Sequence, residues 1–150
     1  VAEISNHKLY VELEKLRFEN KFDYVFELDP KVNKYSEIPT MLLQPFIENA
    51  LLHGLLHKEG LKKITISFTL KEVLICEIVD NGIGRVKSKE IKERQRLEHE
   101  SFSTNAIKNR FDILERHFGG SLGFVYEDLY ENGIASGTKV MLKIPIKRRF

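Results

Sequence analysis

The chain has 150 residues, enough for one hydrophobic core without help from metals or disulfides. Its 42% hydrophobic and 31% charged residues exclude a disordered chain, and no run approaches the roughly 20 apolar residues that a membrane-spanning helix needs. A net charge of +2 gives no reason to expect nucleic acid as a partner. The polar, helix-like N-terminus carries no signal-peptide pattern, so the domain is expected to work in a cytoplasm. Cys76 is the only cysteine, which excludes disulfide scaffolds and cysteine metal sites; within the apolar run VLICEIV it is expected to be a buried, inert thiol.

In chain order, residues 2–19 place Leu9, Leu13 and Leu16 at spacings of four and three. That spacing predicts an amphipathic helix that either docks on the domain or continues a longer helix upstream. Phe22, Tyr24, Phe26 and Leu28 alternate with polar residues up to Asp29-Pro30, the pattern of a strand. Residues 39–57 read as a second helix with Phe46, Asn49, Ala50 and His53 on one face and Pro45 either kinking it or in its first turn. The β-branched runs 63–70 and 73–79 predict a hairpin that stops at Asp80-Asn81-Gly82. A charged stretch, 86–100, is expected to be solvated, and Ala106, Ile107, Arg110, Phe111 and Leu114 predict a third helix closed by Gly119-Gly120. Two last strands, 122–127 and 139–145, are expected around a loop at 128–137. Together these predict a layered α/β sandwich with helices on one face of a mixed, mostly antiparallel sheet.

Polar residues and glycines collect where regular elements end. Glu48-Asn49, with His53 a turn later, put a carboxylate and an amide into an otherwise apolar helix, where they need partners such as a cation and its phosphates, or a capping or core hydrogen bond. Asp80-Asn81-Gly82-Ile83-Gly84 follows a strand directly: its glycines admit close backbone approach, and its carboxylate can accept a hydrogen bond from an exocyclic amine. Gly137-Thr138 leads into the last strand.

The order, spacing and placement of these segments resemble the N box, first glycine box and last glycine box of the ATPases that include gyrase, heat-shock 90 chaperones, histidine kinases and MutL proteins. IPTMLLQPFIENALLHG is similar to the N box of LytS-type sensor histidine kinases, and YVELEKLRFENKF resembles the end of their dimerisation segment. The resemblance implies a Bergerat-type ATP-binding fold, with residues 1–20 ending a dimerisation helix and 21–150 forming the catalytic ATP-binding domain. It further implies ATP and Mg²⁺ as cofactors, Asn49 as metal ligand, Glu48 polarising the reaction centre or holding a water ligand, and His53 reaching toward phosphate or ribose. Asp80 would accept the adenine amine, Gly82 and Gly84 would make room for the base and turn the chain into the lid, and at Gly137-Thr138 the threonine would hold a water or the adenine ring from the other side.

Most relatives carry G-x-G-L in the lid, whereas this chain has Glu100-Ser101-Phe102-Ser103-Thr104-Asn105. Ser101, Ser103 and Thr104 can still offer backbone N–H groups to phosphate at a helix start, with Arg110 as a further phosphate contact; a helix cap and a structural tie are the alternatives. Gyrase-type hydrolases carry a catalytic Glu four residues before the metal-binding Asn; here that place is Pro45, so hydrolysis is not the expected main activity. A degenerate nucleotide-binding or scaffolding module is the other alternative. The implied partners are the protein's own dimerisation domain in a homodimer and a response regulator, and the implied setting is the cytoplasmic part of a membrane-anchored bacterial sensor. An H-F-x-x-N type phosphoacceptor motif is missing from the sequence, and His7, His57, His99 and His117 are expected at the surface. The chain alone is therefore expected not to take up label from γ-³²P-ATP, and to phosphorylate a separately supplied dimerisation domain slowly and saturably, because the untethered reaction loses its effective concentration. Phosphohistidine mapped to any of its five histidines would contradict this.

Overall fold

The computed structural model describes residues 2–19, 21–33, 35–38, 42–55, 58–87, 90 and 123–144. Five strands form the main sheet: β2 (Asp23–Leu28), β4 (Lys63–Leu70), β5 (Leu74–Asp80), β6 (Gly123–Glu131) and β7 (Ile134–Ile144), in the order β2-β4-β5-β7-β6. Only β2 and β4 run parallel; the other three pairings are antiparallel. Two short strands, β1 (Ala2–Glu3) and β3 (Glu37–Ile38), pair separately. This is the two-layer, mostly antiparallel sandwich that the residue pattern predicts.

The sheet is two-sided because its strands alternate. Ile64, Ile66 and Phe68 of β4, Leu74, Cys76 and Ile78 of β5, and Val140, Leu142 and Ile144 of β7 are buried on one face. The other face is polar enough to stay wet, and Glu77 meets Lys139 across it at 3.4 Å. Cys76 is fully buried, and burial raises its thiol pKa well above the ordinary value, as an inert cysteine requires. Among the described residues no helix is long and apolar enough to cross a membrane.

Helix α1 (Ile4–Arg17) lies against the domain on a different stripe from the leucines. Ile4, His7, Val11 and Glu14 are buried, while Leu9, Leu13 and Leu16 are 54%, 55% and 65% exposed. The two stripes have the same helical spacing, and polar anchors select the inner one. Ile4 N–H donates to the Ser36 carbonyl at 3.0 Å, the Tyr24 hydroxyl donates to Glu12 at 2.7 Å, and Lys15 pairs with Asp23 at 3.6 Å. His7, expected at the surface, is therefore inside: it is 5% exposed, its Nε2 lacks a hydrogen-bond partner, and burial lowers its pKa, favouring the neutral ring.

The second helix is shorter and changes character. It runs as α2 (Gln44–Asn49) with Pro45 in its first turn, then widens into a π-helix over Ala50–Leu55 that touches β5 and β7. The widening begins immediately after Asn49. The solvated stretch, third helix and lid expected at 88–89 and 91–122 lie outside the described residues, as do His57, His99 and His117.

The last hairpin corrects the sequence reading. Instead of short strands around a ten-residue loop at 128–137, β6 and β7 extend through it and meet at Asn132-Gly133, both with positive φ (53° and 78°). Asn-Gly between strands is the strongest sequence signal for a two-residue turn of this hand. A register shift at Leu129/Tyr130 adds the twist that such a ribbon needs. Farther along β7, Gly137 presses against the end of β5: a Cβ there would stand 1.9 Å from the Asp80 carbonyl oxygen, while one at Gly133 meets nothing within 4 Å. Gly137→Ala is accordingly expected to cost about 2 to 4 kcal/mol in urea denaturation, and Gly133→Ala about 1 to 2 kcal/mol from its left-handed backbone alone. Equal costs would show that the close approach is not limiting.

Candidate functional site

The sheet register gathers the polar residues into one row. Asp80 at the end of β5 pairs with Thr138 of β7, which pairs in turn with Asp128 of β6. Cross-strand partners share a face, so all three stand on the helix-covered side. Asp80 is 5% exposed and Thr138 8%.

A carboxylate so enclosed needs compensation. Gly82 N–H donates to Asp80 Oδ1 at 2.9 Å, and the Thr138 backbone amide is a second donor. Burial nevertheless dominates and pushes the Asp80 carboxyl up to about 6, against the lowering effects of the Gly82 and Thr138 amides and the Lys58 charge. Asn81 fixes the turn to the start of β4: its Oδ1 accepts from Lys63 N–H at 2.8 Å, its Nδ2 donates to the Leu61 carbonyl at 2.9 Å, and its own N–H donates to the Lys63 carbonyl. Gly82 and Gly84 are both buried, Gly84 with φ at +86° beside Ala135.

Asn49, the last residue of α2, approaches this row from the helical layer. Its side chain approaches the hydroxyl of Tyr126 on β6, whose ring packs on Phe46 of α2 with centroids 6.3 Å apart. Arg85, just past Gly84, lies 4.9 Å over the same ring and grips Asp128 through two hydrogen bonds of 2.8 and 2.9 Å. Glu48 points elsewhere: it is exposed, and its Oε1 accepts from the Tyr10 hydroxyl of α1 at 3.3 Å.

Of the residues singled out in the sequence, the structure thus brings together Asn49, Asp80, Gly82, Gly84, Gly137 and Thr138. The backbone of His53 belongs to the π-helix; its side chain, like Ser101, Ser103, Thr104 and Arg110, lies outside the described residues. Sequence reasoning missed Arg85, Tyr126 and Asp128. Tyr126 and Asp128 occupy alternate positions on a strand, a signal that would have placed them on one face once β6 had been read at its full length.

No protein-family model matches the chain. It is 36% identical over 109 residues to the sensor protein kinase HptS of Staphylococcus aureus, and 37% identical over 106 residues to an uncharacterized sensor-like histidine kinase of Staphylococcus epidermidis. Each alignment covers 70% of the chain and 20% of the relative. The uncharacterized protein YwpD of Bacillus subtilis is 31% identical over 121 residues, 79% of the chain and 41% of that protein. The chain therefore spans well under half the length of the curated relatives it matches. Among solved structures, the catalytic domain of histidine kinase ThkA superposes with a TM-score of 0.59 at 19% identity, covering 93% of the chain and 90% of that domain. The histidine kinase domain of the Erythrobacter litoralis EL346 blue-light-activated kinase superposes with a TM-score of 0.56 at 12% identity over 93% of the chain and 62% of that domain. The chain is a homologue of sensor histidine kinases and has the fold of their catalytic domain.

The raised Asp80 pKa makes stability depend on pH. Between about pH 4 and 6 the folded state holds a proton that the unfolded chain has released, so its contribution is present below about pH 4 and is lost as pH rises through 6. Asp80→Asn, which cannot ionise, is expected to gain about 1 to 3 kcal/mol relative to wild type between pH 5 and pH 8 in urea denaturation. A stability difference independent of pH would contradict the burial of an ionisable group at this position.

Proposed function

We propose that the chain is the ATP-binding catalytic domain of a LytS-type sensor histidine kinase, transferring the γ-phosphoryl group of ATP to a histidine on a dimerisation domain. One observation supports the reading: a buried strand-end carboxylate, Asp80, and Asn49, an amide on a helix of the opposite layer, both lie close enough to Tyr126 to act on it. In this reading Asp80 accepts the adenine amine, which selects adenine over guanine, and Thr138 backs the base from β7. Residues 1–20 would end the dimerisation helix of a homodimer, and the domain would work on the cytoplasmic side of a membrane-anchored sensor, passing its phosphoryl group on to a response regulator.

The donor set suits a nucleotide-borne magnesium ion. Among the described residues no three His, Cys, Asp or Glu side chains converge as a metal site, so in this reading a cation would rely on Asn49, on phosphate oxygens and on water. When bound, it neutralises charge on the phosphates. The chain's own residues supply position: Asn49 fixes the phosphate end and Asp80 the base. Pro45 occupies the helical turn before Asn49, where a hydrolase would carry its water-activating Glu.

Calorimetric titration with ADP and Mg²⁺ tests this. Wild type is expected to bind, and Asp80→Asn to lose about 1.5 to 3 kcal/mol by removing a charged acceptor. Asn49→Ala is expected to keep part of the ADP affinity and to lose transfer to a supplied dimerisation domain. Absence of both heat and thermal shift in wild type would leave a scaffolding module as the better reading, and equal losses in both variants would overturn the two assigned roles.

A further inference from the structure

Four residues separate the end of β5 from Arg85, and the chain uses them to cross a neighbouring strand. Asp80 and Asp128 both pair with Thr138, so they stand on either side of β7, about 10 Å apart at two strand spacings. The segment 81–84 leaves the first carboxylate, and Arg85 reaches the second. At the inner end Gly82 N–H donates to Asp80 Oδ1 at 2.9 Å. At the outer end Arg85 Nε and Nη2 donate to Asp128 Oδ1 and Oδ2 at 2.8 and 2.9 Å. Between these ends the backbone lies directly on β7: a Cβ at Gly84 would stand 3.2 Å from the Ala135 Cβ, and one at Gly137 would stand 3.1 Å from the Asn81 Cα.

The two fastenings differ in kind. The inner one is a single bond within a buried turn, whereas the outer one is a fork of two bonds joining residues 43 positions apart. Two glycines in a four-residue span leave the backbone many alternatives, which the inner bond alone does not remove. A planar guanidinium held at two nitrogens fixes direction as well as distance. The same group lies 4.9 Å over the Tyr126 ring, which packs on Phe46 of α2, so the outer fastening is seated against the helical layer as well. At side-chain exposures of 49% and 29% the pair is too solvated to be a main source of stability, and what its geometry supplies is the placement of the loop.

We propose that Arg85 and Asp128 are positioning residues for base recognition: their ion pair holds the glycine loop across β7, so that Asp80 and the backbones of Gly82 and Gly84 meet a purine in one arrangement. The inference rests on Asp80 accepting the adenine amine. Neither Arg85 nor Asp128 needs to touch the base.

The test compares ADP with GDP by calorimetric titration in MgCl₂ for wild type, Arg85→Gln, Asp128→Asn and the double variant. Each single variant is expected to weaken ADP about three- to fivefold and GDP less than about twofold, because only the adenine complex draws on the placement of Asp80. The double variant is expected to lose no more than either single one, since both remove the same link. Arg85→Lys, which keeps the charge but not the fork, is expected to behave like Arg85→Gln. Hydrogen exchange of the Gly82 amide, followed by ¹⁵N NMR on the unliganded chain, is expected to quicken in all four variants. Equal weakening of ADP and GDP means a general structural role and overturns the proposal, as do additive losses in the double variant or unchanged Gly82 exchange. A wild type that binds ADP no better than GDP would instead remove Asp80 as the base acceptor, and this inference with it.

Discussion

Enclosing a carboxylate at the end of a central strand sets demands that propagate through the neighbouring chain. Asp80 needs donors that water no longer supplies, and it finds them in the backbone of Gly82 and Thr138. The first requires the chain to turn back immediately after β5. The second requires β7 to lie in one register and no other, because a one-residue slip would carry Thr138 to the opposite face. Strand β7 can come that close only because Gly137 has no side chain to strike the Asp80 carbonyl. Asn81 then secures the turn to β4, so three strands converge on one acidic group.

Those demands explain what was legible in the sequence. Elements whose pattern is local were readable: the alternation of β2, the paired runs of β4 and β5, and Pro45 in the first turn of α2. Helix α1 was readable as a helix, but not its orientation. Two stripes compete for the interior, and the choice falls to contacts such as Tyr24 with Glu12 that join residues from separate elements. The same choice buried His7. In the last hairpin the glycines and acidic residues of 128–137 look like a loop, although Asn132-Gly133 within them is the signal of a two-residue turn.

The candidate site was legible only in its motif residues. Asn49, Asp80 and Thr138 stand where regular elements end, and such places stand out in a sequence. Arg85 and Asp128 are separated by 43 positions and become neighbours only through the row that runs from Asp80 through Thr138. No local pattern announces a contact of that kind. The surrounding Arg85, Tyr126 and Phe46 stack shows how a sheet edge and a helix share one side chain to hold both layers in place.

The order of pairing also bears on how the molecule assembles. Strands β4 and β5 form one hairpin closed by a short turn, and β6 and β7 form another, so each can zip up from nearby residues. Joining β5 to β7 closes a loop across residues 81–133, and the parallel pairing of β2 with β4 closes another across 29–62. Both carry an entropic charge that is met before any contact returns it. Asp80 belongs to the first hairpin and Thr138 to the second, so the row that they form lies on the seam between two separately closed hairpins. A molecule lodged on that seam fastens the pieces to one another, and their separation would have to wait for its departure.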